Sequence, residues 1–196
     1  MPKRAVVMVV LTSALSAALG LAQESVAPAA TPSPRWWAGF GGGAAWISSD
    51  QPPLADRGTT WRLDLFAGLK ASPRVWLGFK LGGIGIEAGN LSDPAQGESV
   101  SEFLAVAEYH SAGRTGFFAS GGAGWSSYTS GDPAWFDHEG DGWALEVAVG
   151  YLWPVSTRWA VAPTLSYSRG SIAPRGEGLD HLDYGALALS VRMVAF

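Results

Sequence analysis

The chain has 196 residues and no cysteine, with 26 Gly, 10 Trp and only 15% charged residues. That length suits one domain, and the missing cysteine excludes disulfides, thiolate metal sites, a cysteine nucleophile and a lipidated lipoprotein terminus. The formal charge of −4 becomes −6 once a leader carrying Lys3 and Arg4 is removed (11 basic against 17 acidic residues), so there is no basic face for nucleic acid.

Residues 1–22 begin with Lys3 and Arg4, continue as an apolar run from Ala5 to Leu21, and end in the small-residue site Gly20-Leu21-Ala22. This is the pattern of a secretory signal peptide, with cleavage expected after Ala22. An uncleaved N-terminal anchor is the rival reading, disfavoured by the short run and the cleavage site. Residues 23–34 (QESVAPAATPSP) have no periodicity and read as a Pro/Ala-rich periplasmic linker.

From residue 35 the chain alternates with period two, which predicts eight strands, near 35–48, 60–71, 75–89, 100–111, 116–129, 142–155, 158–169 and 182–194. The connections between them alternate in length. Those near Ser72-Pro73, Gly113-Arg114 and Pro154–Thr157 are short, whereas 50–59, 91–99, 130–141 and 170–181 run to about ten residues, as in barrels with short periplasmic turns and longer outer loops.

The sixth and seventh strands show what surrounds the sheet. Trp143, Leu145, Val147, Val149, Tyr151 and Trp153 share one face, and Trp159, Val161, Pro163, Leu165 and Tyr167 continue it; Ala144, Glu146, Ala148, Ser166 and Ser168 lie on the other. Bulky apolar residues on one side with small or charged ones opposite suit a narrow barrel whose outside meets lipid. Trp143 to Trp153 spans ten steps, about 33 Å of strand, or about 25 Å when tilted by roughly 40°. That is the height of an outer-membrane apolar band.

The aromatic residues sort by depth into two expected girdles. Trp36, Trp76, Tyr109, Phe117, Tyr151, Trp153 and Trp159 fall at the short-turn ends, and Trp46, Trp61, Phe103, Trp125, Trp143 and Tyr167 at the long-loop ends. The inward positions carry Arg62, Asp64, Lys70, Lys80, Glu102, Glu108, Glu146 and Arg192, in nearly balanced signs. Unpaired charges there would each cost several kcal/mol, so a charge-paired network filling the lumen is predicted, with Gly41, Gly43, Gly68, Gly78, Gly82, Gly122 and Gly150 leaving it space. Glycines blur the third strand, where Glu87 falls on the outward phase; a bulge near 83–85 or a position above the lipid band would account for it.

The segments RWWAGFGGGAAW, GYLWPVSTRWAVAPTLSYSRG and LDHLDYGALALSVRMVAF resemble the small eight-stranded outer-membrane barrels of Gram-negative bacteria, the OmpA/OmpX/OmpW-like proteins, over residues 36–196. The resemblance implies an all-β, antiparallel, up-and-down transmembrane barrel over 35–196, residence in the bacterial outer membrane, contact with outer-membrane lipids and lipopolysaccharide, and a monomeric state. It also implies that Phe196 is the terminal aromatic read by the barrel-insertion machinery. The phase departs from that pattern, because Val194, Arg192 and Ser190 precede Phe196 at even steps while Leu187, Leu189, Val191 and Met193 form the apolar face. Either a bulge near 193–195 restores it, or the insertion signal is weaker than usual.

SYSRGSIAPRGEGLDH resembles the corresponding region of outer-membrane lipid A deacylases, in which a His and, two residues on, a Ser act as base and nucleophile. Ser171 matches the serine, but Arg169 stands where the histidine is expected, and a serine without a base is an ordinary hydroxyl. His181 with Asp183 could supply one from across the last loop. His110 reads as a cap on the inner network. His138 lies in the acidic stretch 132–141, whose oxygens could hold Ca²⁺ but fit no EF-hand spacing, and whose Trp135 and Phe136 could touch lipopolysaccharide. No catalytic set, metal site or cofactor is assigned. The expected function is a non-enzymatic, porin-like outer-membrane barrel with a plugged lumen and four surface loops serving envelope structure, recognition or adhesion. The alternatives are a lipid A-modifying hydrolase and a small-solute channel; a soluble ligand-binding barrel is the rival fold.

Overall fold

The alternating segments pair in sequence order as eight antiparallel strands: β1 (Trp36–Ser49), β2 (Thr59–Lys70), β3 (Val75–Glu87), β4 (Gly97–His110), β5 (Gly116–Gly131), β6 (Asp137–Pro154), β7 (Trp159–Pro174) and β8 (Leu182–Ala195). The computed structural model describes residues 36–49, 59–87, 97–111, 115–131, 137–174 and 181–196. The expected leader and linker lie outside these residues. Pairing of β1 with β8 closes the barrel. A row of cross-strand neighbours starting at Gly39 runs through Phe66, Lys80, Leu104, Gly124, Ala144, Gly170 and Tyr184 and returns to β1 at Ser49. The stagger is thus ten residues around eight strands, which goes with a strand tilt of about 40°.

Because side chains alternate across a strand, closure divides the chain into an inside and an outside. Leu63, Leu65, Phe79, Leu81, Phe103, Trp125, Val149, Trp153, Leu165, Leu189 and Val191 are all exposed on the outer wall, Trp125 at 61% and Leu63 at 58%. An apolar band this continuous, on a sheet with no edges, is the surface of a protein solvated by lipid.

Several local expectations are corrected. β3 pairs with β2 and β4 in one unbroken register through 83–85, so there is no bulge there. Trp61 lies over Gly85, its cross-strand neighbour, and a Cβ at Gly85 would collide with the indole. The register shift falls instead between Tyr128 and Thr129, which pair with Gly140 and His138 and leave Glu139 with no opposite residue in β5. β5 and β6 extend beyond the expected ends, so 137–141, read as part of a loop, belongs to strand β6; Trp135 and Phe136 lie outside the described residues. β8 keeps its phase to the end, and Phe196 turns inward, with no bulge at 193–195.

Two backbone features follow from residue chemistry. The short connection after β4 enters β5 through Gly116 at φ 111°, a conformation that glycine adopts without the Cβ penalty. Pro163 lies within β7, and the β6–β7 ladder is interrupted opposite it, between Gly150↔Thr164 and Trp153↔Val161. A proline has no N–H to give, and the missing bond falls on that side while pairing to Val191 of β8 persists.

Candidate functional site

Of the eight charges expected on the inward positions, Arg62, Asp64, Lys80, Glu102, Glu108, Glu146 and Arg192 lie buried inside the barrel, and Lys70 is half-buried at its short-turn end. They come from β2, β3, β4, β6 and β8, while β7 and β8 present Ala162, Thr164, Ser166, Ser168, Ala186, Ala188 and Ser190. Long side chains from one side therefore reach into room left by short ones on the other.

Arg62 is the hub of this interior. Its Nε donates to Asp64 Oδ1 (3.0 Å), its Nη2 to Glu102 Oε2 (2.8 Å) and Glu146 Oε2 (2.6 Å), and its Nη1 to the Ser168 hydroxyl (3.2 Å). Lys80 Nζ donates to Glu146 Oε2 and stands 3.6 Å from Asp64 Oδ1. The Tyr184 hydroxyl donates to the other oxygen of Glu102 (3.0 Å). A planar guanidinium has donors in a fixed fork, which is why one arginine can serve three carboxylates. Gly82 makes this packing possible, since a Cβ there would stand 2.9 Å from Asp64 Oδ1 and 3.1 Å from Arg62 Nη2.

A second, smaller cluster lies nearer the short turns. Arg192 Nη1 donates to Glu108 Oε1 (2.7 Å), and His110 Nε2 is 3.3 Å from Glu108 Oε2. The Arg192 guanidinium sits over Phe66 and Phe118 at 5.0 and 5.3 Å from their ring centroids, where the ring faces attract a cation. His110 stacks on Trp76 at 3.7 Å.

Apolar layers enclose the charges from both ends. Trp37, Phe66, Trp76, Phe118, Leu152, Val194 and Phe196 fill the short-turn end. Ile47, Ile84, Val100, Tyr128, Ile172 and Leu182 fill the long-loop end. Here one expectation is corrected: Trp76 is 2% exposed and points into the lumen, not into a lipid girdle. It sits on the same phase of β3 as Lys80, and sorting aromatics by depth alone misses that face. Phe196 packs edge-on against Trp76 at 5.4 Å, and Lys70 Nζ lies 4.7 Å from the Phe196 centroid and 5.0 Å from that of Trp76. Trp37, adjacent to the outward Trp36, joins the same plug at 5.6 Å from Trp76; its odd position in β1, in phase with Gly41 and Gly43, was the available signal.

The other aromatic residues expected in the girdles face outward. Trp36, Trp153, Trp159 and Phe117 are exposed towards the short turns, and Trp46, Trp61, Phe103, Trp125, Trp143 and Tyr167 towards the long connections. Tyr109 and Tyr151 are half-buried on the same wall, with Tyr151 edge-on to both Phe117 and Trp153.

Ser171 and Asp183 are direct cross-strand neighbours on β7 and β8. No side-chain hydrogen bond joins Ser171, His181 or Asp183 to one another among the described residues. Arg169 lies on the outer wall one outward position before Ser171, exposed, beside Gly185 of β8.

No protein-family model and no curated protein sequence matches the chain. Solved structures do. Neisserial surface protein A is similar at a TM-score of 0.58 and 13% identity, over 80% of this chain and 95% of that one. Ail, the attachment invasion locus protein of Yersinia pestis, is similar at 0.47 and 10% identity, over 81% and 97%. The outer membrane protein OprG of Pseudomonas aeruginosa is similar at 0.40 and 15% identity, over 82% and 91%. The first of these likenesses carries the fold, that of a small eight-stranded outer-membrane barrel.

Proposed function

The chain is an eight-stranded transmembrane β-barrel of the bacterial outer-membrane kind, and from that premise we propose that it is a non-enzymatic envelope protein with a closed lumen, working through its surface. The observation that carries this reading is the filling of the interior at three successive levels. Residues from seven strands meet at the centre with exposures of 0–5%, and their charges are paired across the lumen. A solute would have to break a multiply hydrogen-bonded layer and displace an aromatic plug.

The four connections at the outer end and the outer rim then form the working surface, serving envelope structure, recognition or adhesion. A monomeric state is part of this reading, and closure leaves no strand edge for β-pairing with a second copy. Its insertion is directed by the machinery that reads a terminal strand, here the outward Leu187, Leu189, Val191 and Met193 followed by Phe196. Its partners are outer-membrane lipids and lipopolysaccharide; no cofactor is required by this reading.

Conductance in planar bilayers tests it. Insertion of the purified barrel is expected to leave the baseline current flat, and stable stepwise currents would sink the closed-lumen reading.

A further inference from the structure

Among the described residues Arg169 is the one strand cation on the outer wall; Arg62, Lys70, Lys80 and Arg192 all face the lumen. Its guanidinium has no ion pair or hydrogen bond within the described residues. An arginine on the lipid-facing wall is costly at the bilayer midplane and nearly free of cost at the interface. Arg169 sits at the interface, one outward position beyond Tyr167 of the outer girdle, with Trp143 on the neighbouring strand paired to Ser171.

The wall beside it is notched. Gly185 lies between Arg169 on β7 and Ser48 on β1 in one cross-strand row, and having no side chain it leaves a hollow of about 130 Å³. A Cβ at Gly185 would come within 3.0 Å of the Tyr167 hydroxyl and 3.5 Å of Ser48 Oγ. Arg169, Tyr167, Ser48 and Asp183 all line this hollow. Ser48 Oγ donates to the Gly185 carbonyl at 3.3 Å, while the Tyr167 hydroxyl has no partner among the described residues. The notch therefore offers a forked cation and a free O–H donor on one side and a carboxylate acceptor on the other.

We propose that this notch binds the headgroup of an anionic outer-membrane lipid, with a phosphate held by Arg169 and Tyr167 and sugar hydroxyls donated to Asp183. A phosphorylated sugar headgroup of the lipid A kind supplies that mixture of acceptors and donors at the depth of the outer girdle. The guanidinium fork matches phosphate oxygens in pairs. The inference rests on the outer-membrane reading of the fold.

Native mass spectrometry of the full chain in detergent micelles tests it, with bisphosphorylated lipid A, dephosphorylated lipid A and inorganic phosphate added separately. The expected result is retention of bisphosphorylated lipid A in preference to the dephosphorylated form by about tenfold or more, the discrimination that a charge-assisted hydrogen bond supplies. Inorganic phosphate should compete only weakly. Arg169→Gln and Gly185→Leu should each abolish the preference, the first by removing the charge and the second by filling the notch. Arg169→Lys should keep part of it. A heat-modifiable gel shift reports that each variant is folded. Equal retention of the two lipid forms, or an unchanged preference in both folded variants, would overturn the proposal. The mass of the retained lipid separates this outcome from the non-enzymatic reading: loss of an acyl chain, abolished by Ser171→Ala, would overturn that reading while the phosphate preference still decides the notch.

Discussion

Arg62 donates to three carboxylates and a serine at once and is wholly buried, which makes it the residue on which the interior depends most. Removing it would leave Asp64 and Glu146 with Lys80 as their paired cation and Glu102 with the Tyr184 hydroxyl in place of an ion pair. Breaking a buried ion pair from one side costs about 3–5 kcal/mol, because the remaining charges are left uncompensated. Arg62→Ala is therefore expected to lose at least that much in urea unfolding from lipid vesicles, and Arg62→Lys to recover only part, since a single ammonium cannot reproduce the fork. That these charges point inward was legible from period two. Which carboxylate meets which cation was not, because Glu146 is 84 residues from Arg62 and their meeting is set by closure. Trp76 shows the converse error. Its depth along β3 suggested a girdle, yet its phase puts it in the lumen, where its ring stacks on His110 and meets Phe196.

At the scale of the strand, glycine acts by which face it lies on. Gly82 and Gly83 are neighbours in β3 with opposite surroundings: a Cβ at Gly82 meets Asp64 and Arg62, whereas one at Gly83 meets nothing within 4 Å. Gly82→Leu is expected to lose about 1–3 kcal/mol through overpacking, and Gly83→Leu to be neutral or stabilising because its side chain enters lipid. Paired urea titrations check this, and equal losses would mean that the phase of β3 is misassigned. The strand ends were the least legible feature. β6 and β7 extend past the apolar alternation into polar sequence, Asp137–Gly142 and Gly170–Pro174. The hydrogen-bond ladder continues there without the hydrophobic pattern that marks a strand in sequence. Hence 137–141 read as a loop, and the bulge at Tyr128/Thr129 had no signal in the glycine pattern that suggested one at 83–85.

For the whole molecule, closure is what makes the structure cooperative. Every strand pairs with two neighbours, and β1–β8 pairing spans nearly the full chain. A closed barrel in lipid has no exposed backbone polar groups, so unfolding must break many bonds together. The full chain is expected to migrate as a compact species in SDS without heating and to shift on boiling. A chain ending before Leu182 would lose this behaviour entirely, because it leaves β1 and β7 as open edges in a medium that cannot hydrogen-bond them. A persistent shift in the truncated form would show that closure is not required. The sequence alone determined the strand count, the outward apolar face, the two aromatic levels and the inward charges, because each of these follows from a period of two and from what one side chain can be solvated by. Only the tertiary structure decided the ten-residue stagger, and with it the partners of each charge, the packing of Trp76 against Trp37, His110 and Phe196, and the meeting of Arg169 with the notch at Gly185. These depend on distances between strands far apart in sequence, which local alternation does not carry.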